Sequence, residues 1–204
     1  MVFPFFTLFL IFVIVLALRY RYITKKQEAA FEEFWAREAR ANATPPVDLN
    51  NLSYITIPLD RFPLHFSDDT EVTVIEDELV DLTHKKILNI SKKSNTDLKE
   101  EYGAANLEAL IEIGENYDRL SVVLVDYAKA LMEYDRIEDA VKVLEFGVET
   151  GTDVSTNYTL LADCYSELGM NDRLPGLREK VIDRQLLLES AVMDHIDELE
   201  AQGA

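Results

Sequence analysis

The hydrophobic pattern opens with an unbroken run. Val2 to Leu18 is seventeen residues of Phe, Leu, Ile, Val and Ala interrupted only by Pro4 and Thr7. At about 1.5 Å per residue it spans roughly 25 Å, and Arg19–Tyr22 extends it by snorkelling, so residues 1–22 read as a transmembrane helix. Pro4 falls in the first turn, where its missing N–H breaks no helical bond. Thr24–Ala41 then shows helical spacing, with good helix formers and an apolar stripe of Phe31, Phe34, Trp35 and Ala39, so 23–43 is predicted as a juxtamembrane helix that continues the span. Trp35 lies too far along to reach lipid and is expected to dock on the domain or on a partner helix.

The period is lost at Asn42–Asn51, where Pro45 and Pro46 enforce extended geometry. Tyr54–Leu64 is apolar and β-branched but carries Pro58 and Pro63, which excludes a central strand. Residues 44–75 are therefore predicted as an extended arm, with Thr70–Ile75 a short strand or the run-in to a helix. From Glu76 the pattern is helical to the end, giving a helical domain over 76–204. Leu79, Leu82, Ile87, Leu88 and Ile90 supply its first apolar face. Further helices are expected at Leu98–Ile113 (closed near Gly114), Leu120–Tyr134, Ile137–Glu149 and Val154–Leu168, with one or two more over Leu174–Glu200. No Gly or Pro after Gly176 marks a division in the last of these. Seven Gly and six Pro in 204 residues favour long helices with short turns. The fold class is all-α.

Two stretches align at a spacing of 34. Leu124 matches Tyr158, Tyr127 matches Leu161, Ala128 matches Ala162, Leu131 matches Tyr165 and Asp135 matches Gly169. Ala140, Leu144 and Gly147 fall where a second helix packs on the first. LVDYAKALMEYDRIEDAVKVLEFGV and YTLLADCYSELGMNDRLPGLREKV resemble the tetratricopeptide repeat, in which small residues let paired helices approach and stacked pairs share a core. Leu174 and Arg178 depart from its pattern, and Asp77–Glu115 does not keep the register, so the repeat is degenerate and a plain helical bundle is the alternative. The chain is also similar in architecture to membrane-anchored repeat proteins of bacteria. The resemblance implies a solenoid that binds a peptide along the face of its first helices, here Asp126, Lys129, Glu133, Thr156, Thr159 and Asp163. That mixed-to-acidic set disfavours a carboxylate clamp. Asp126, Lys129 and Asn157, with Trp35, are the expected partner contacts.

Charge narrows the partners. Arg19, Arg21, Lys25 and Lys26 precede the first acidic residue, Glu28, and from Gln27 onward 16 basic residues face 38 acidic ones, a net of −22. Such a domain repels nucleic-acid phosphates and anionic lipid. The acidity reads as a solvated surface or, functionally, as a bias toward basic or amphipathic partners. With Tyr20 and Tyr22, the four cations form the expected membrane-interface set. Because they follow the apolar run, the positive-inside rule puts the N-terminus outside and 19–204 in the cytoplasm, and the architectural resemblance implies a bacterial plasma membrane. A cleaved signal peptide fits less well, since no basic region precedes the run and no small-residue cleavage site follows it. In that orientation the sequons at Asn42, Asn51, Asn89 and Asn157 are fortuitous.

The sequence holds no phosphate-binding glycine loop, H-E-x-x-H, EF-hand loop or C-x-x-C. His65, His84 and His195 share no ligand spacing and read as surface or capping residues. Cys164, the single cysteine, sits at a core position of the repeat. Glu76–Glu78 and Asp68–Asp69 read as charge at a helix N-terminus rather than as a metal site. No catalytic residue, metal, cofactor or small-molecule substrate is expected. The expected function is a membrane-tethered adaptor or scaffold, the alternatives being a structural or assembly subunit of a membrane complex, or an enzyme or regulator of unknown type.

Overall fold

The computed structural model describes residues 3–202. Among them the chain is helical without strands: α1 (Phe3–Asn42), α2 (Thr70–Thr83), α3 (Asn95–Tyr102), α4 (Leu107–Glu133), α5 (Ile137–Thr150), α6 (Ser155–Glu167), α7 (Leu174–Arg184) and α8 (Glu189–Gln202), with short 3₁₀ turns between some of them. Two compact units result. One takes in the chain to Asn50 with Lys92–Glu108, and the other holds Asn51–Ser91 with Ala109–Ala204.

The first unit is α1 with α3. The apolar run and the segment that follows it form one unbroken helix of 40 residues, with nothing between Leu18 and Thr24 to break the period. It is the one helix among the described residues long and apolar enough to cross a membrane. Its far end docks on α3 through charge around a small apolar contact. Arg37 Nη2 donates to Asp97 and Glu100, both at 2.6 Å, and Glu38 accepts from Lys99 and from Thr96 Oγ1 at 2.8 Å, around buried Ala41 and Leu98. The docking residues are thus Arg37, Glu38 and Ala41, whereas Trp35 is half exposed.

α3 begins at Asn95, where the sequence pattern suggests an interruption. Ser94 and Asp97 form a reciprocal capping box that satisfies two orphan amides. The helix ends at Gly103, whose φ of 89° suits only glycine, and where a Cβ would lie 2.5 Å from the Pro45 carbonyl and Pro46 Cα.

In the second unit the helical domain starts earlier than residue 76. Asp69 caps α2 by accepting the Glu71 amide at 2.8 Å, so β-branched Thr70–Ile75 is helical and the arm stops short of it. Glu76–Glu78 consequently lie inside the helix, not at its N-terminus. α2 closes at His84, so Ile87, Leu88 and Ile90 belong to an extended return rather than to a helix face. Ile87 of that return is in the core, its carbonyl accepts the Ile55 amide at 2.9 Å, and the arm is tied to it there. Gly114, expected to end a helix, lies within α4, and a Cβ on it would sit 2.9 Å from Ile90 Cδ1. The glycine makes room for the return.

The core gathers Tyr117, Leu124, Tyr127, Leu131, Leu144, Tyr158, Leu161 and Leu174, all 1% exposed or less. Arm residues Ile57 and Phe62 complete it, Phe62 packing between Tyr127 and Phe146 with ring centres 6.4 and 5.8 Å away. α6 packs on α5, α7 and α8. The last helical stretch divides at Gln185, which takes a left-handed turn (φ 55°) without being glycine, and buried Leu186 then anchors the link.

Candidate partner-binding surface

Asp126, Lys129 and Glu133 share one face of α4, at spacings of three and four. Opposite them lies the first half of α2, and the two helices enclose a hollow of about 150 Å³. Its floor is apolar, made by Val72, Ile75 and Ala130. Its rim carries Asp69, Glu71, Asp126 and Glu133, with Lys129 the cation among them. Lys129 leans on Asp126 at 3.3 Å, and Tyr134 Oη donates to Asp69 at 3.3 Å across the groove. Asp69, Glu71 and Tyr134 were not expected here. The Asp69 capping pattern was the available signal, because starting α2 there brings its first turn opposite α4.

The structure corrects one expected contact. Asn157 is fully buried. Its amide donates to the Leu144 carbonyl at 3.0 Å, and its Oδ1 stands where a Cβ on Gly147 would go. Asn157 therefore sets how closely α5 and α6 approach and offers nothing to a partner. Asp163 on α6 is taken up by His195 Nε2 of α8 at 2.6 Å. Trp35 stays open, packed edge-on against Phe31 and Phe34. Arg19, Tyr20, Arg21, Tyr22, Lys25 and Lys26 are exposed on α1.

A larger hollow of about 440 Å³ lies among α5, α6 and α7. Its apolar wall includes Leu161 and Leu177, and Glu145 accepts there from Tyr165 Oη at 2.7 Å and from Arg173. A third face, on α4 and α5, is filled by the arm. Phe66 packs edge-on against Tyr134 and at a tilt against Tyr127, and the Arg136 guanidinium lies 5.1 Å over its ring. Both oxygens of buried Glu76 accept the His65 amide at 2.9 Å, and Tyr127 Oη reaches Oε1 at 3.3 Å. This buried carboxylate anchors the arm.

Protonation follows burial. The Cys164 thiol is pushed up to about 12 by desolvation, then by Asp163 and Glu167, so it stays a neutral thiol. Burial also raises Tyr127, aided by Glu76, and takes Tyr158 to about 12. Asp118 is raised by burial and then by Asp153 and Glu115. No group of three or more His, Cys, Asp or Glu among the described residues is arranged to hold a metal ion. No protein-family model, curated protein or solved structure matches the chain.

Proposed function

We propose that the chain is a membrane-tethered adaptor whose α2–α4 groove holds a basic or amphipathic segment of a partner protein. The observation that carries this reading is the groove's make-up: four carboxylates around an apolar floor. An apolar residue of the partner would fill the hollow while flanking Lys or Arg meet Asp69, Glu71, Asp126 and Glu133. Tethering raises the effective concentration at the membrane, so modest affinity suffices.

Several features favour tetratricopeptide-like pairing of the helices. Asp135 and Gly169, 34 residues apart, both turn left-handed (φ 57° and 68°) at a helix end. The next amides, Arg136 and Met170, close on the carbonyls of Leu131 and Tyr165, also 34 apart. Ala128 and Ala162 are both fully buried. The basic cluster after the span supports a cytoplasmic domain and an external N-terminus, and the architectural resemblance suggests a bacterial plasma membrane.

The test uses the full-length chain in nanodiscs and a labelled amphipathic peptide with Lys at i and i+4. Expected is binding that weakens with salt and is lost in Asp126→Lys and Glu133→Lys. Equal binding by the charge-reversed variants, or by an acidic peptide of the same apolar pattern, would sink the proposal. The fully exposed, uncharged span favours a second reading, a structural subunit of a membrane complex. Replacing the span with an unrelated one leaves an adaptor's partner bound but costs a subunit its complex.

A further inference from the structure

The stretch of α1 just beyond the span sorts its charges. Arg19, Lys26 and Glu33 are seven residues apart, as are Arg21 and Glu28, and Lys25 and Glu32. All the charge between Arg19 and Ala36 therefore falls in three of the seven columns of a heptad. The opposite side carries none. Tyr20, Gln27 and Phe34 form its middle column, with Thr24 and Phe31 beside them and Ile23 and Ala30 on the other flank. Tyr20, Phe31 and Phe34 are 73, 63 and 52% exposed, an apolar ridge standing in the open. At about 1.5 Å per residue, Phe31 and Phe34 lie roughly 14 and 18 Å beyond Tyr22, too far for lipid to cover them.

Higher up, the same columns are already an interface. Ala41 continues the column of Phe34, Glu38 that of Phe31 and Arg37 that of Ala30, and these three residues receive α3. The stripe is thus the open, membrane-proximal continuation of a face that α3 covers at its far end. In the other direction its spacing runs on through Ala17, Val13, Leu10 and Phe6, all exposed.

We infer that this stripe pairs α1, in parallel, with α1 of a second copy of the chain. The charge pattern selects that occupant. Two copies inserted with the same topology stand level, so every residue on the contact line meets its own twin. A charged residue there would face a like charge, which a foreign helix could complement but an identical one cannot. The stripe meets this condition along its whole open length. Gln27, polar within the line, can hydrogen-bond its twin and fix the register, as polar core positions do in two-stranded coils. Phe31 and Phe34 supply the buried area, and large residues at this period suit left-handed packing without a small-residue motif in the span. The inference rests on the membrane reading of α1 and is independent of the partner groove.

Single cysteines in the full-length chain test it in native membranes. Cys164 is buried, so the unaltered chain gives the uncrosslinked baseline. Under mild oxidation, Gln27→Cys in the stripe is expected to give disulfide-linked dimers severalfold in excess of Glu32→Cys on the charged side. Two differently tagged copies are expected to co-purify, and to stop doing so in Phe31→Glu/Phe34→Glu, where both side chains are exposed and an unchanged helical CD spectrum reports an intact fold. Equal crosslinking at 27 and 32, none at 27, or a crosslink from 27 to a different protein would each overturn the pairing. Carbonate extraction of the same membranes reports separately on the anchor, since a chain released by carbonate refutes the span itself.

Discussion

Gly147 and Asn157 make one packing unit. The glycine lies where the buried amide side chain of α6 touches α5, and a methyl group would strike Asn157 Oδ1. Gly147→Ala is therefore expected to destabilise the second unit by about 1–3 kcal/mol, despite alanine's better helix propensity. Thermal melts in detergent check this, and a gain in midpoint would remove Asn157 from its spacing role. Glu76 accounts for a second residue-scale effect. Glu76→Ala leaves the His65 amide and Tyr127 hydroxyl without their acceptor in the core, a loss of about 1–3 kcal/mol. Its signature is protease cleavage in the arm at temperatures where the helices persist. Cys164 is expected to resist maleimide near neutral pH until the chain unfolds, because burial raises both its pKa and its inaccessibility. Tyr127, Tyr158 and Cys164 all hold their protons more tightly folded than unfolded. Their contribution is complete below about pH 9 and is lost as pH rises toward the folded values, so stability falls in alkali. Such residues are hard to foresee from periodicity, which assigns Asn157 a groove position without registering the glycine that buries it.

Among the elements, α3 is the most exposed to conditions. It holds α1 mainly by surface ion pairs, and Asp97 is kept below its ordinary value of 3.8 first by the Ser94 hydroxyl and then by Arg37. The sign follows from that depression. The carboxylate's contribution is present above the unfolded value and is lost as pH falls below it. Amide exchange in α3 is expected to rise below about pH 4, and in high salt, before exchange in α4 or α5 does; protection unchanged by either condition would refute an electrostatic dock. The helix boundaries follow a related logic. The Ser94/Asp97 capping box, the Asp69 cap and the left-handed Gly151 each act within one turn of themselves, so their signals are local. Gly114 misleads for the opposite reason. Its lack of a side chain serves Ile90, 24 positions away, and nothing local distinguishes that from a helix end. Gln185 marks where the final stretch divides in two, and the point of division is not legible because glutamine has no breaking propensity.

For the whole molecule, the apolar run and the helical character of the rest were legible early, since both depend on composition and period alone. Orientation is the remaining global variable. Asn89 and Asn157 are tied into the fold, Asn89 donating to the Tyr117 hydroxyl and to the carbonyls of Thr150 and Gly151, and Asn157 to that of Leu144. With the domain in the cytoplasm, a membrane-impermeant maleimide is expected to leave a cysteine at exposed Asn42 unlabelled in intact cells and to label it after lysis; labelling in intact cells would reverse the topology. By itself the sequence determined the long apolar N-terminal helix, the all-α class, the core positions of the 34-residue alignment and the acidic balance of charge, because each follows from which residue types recur at which local spacing. Tertiary structure decided the rest. It buried Asn157, turned Ile87–Ile90 from a helix face into an extended return, packed the arm on α4 and α5, and set the first turn of α2 opposite Asp126 and Glu133. Each of these depends on segments far apart in the chain meeting in space, and a local pattern carries no record of the partner that a residue will meet.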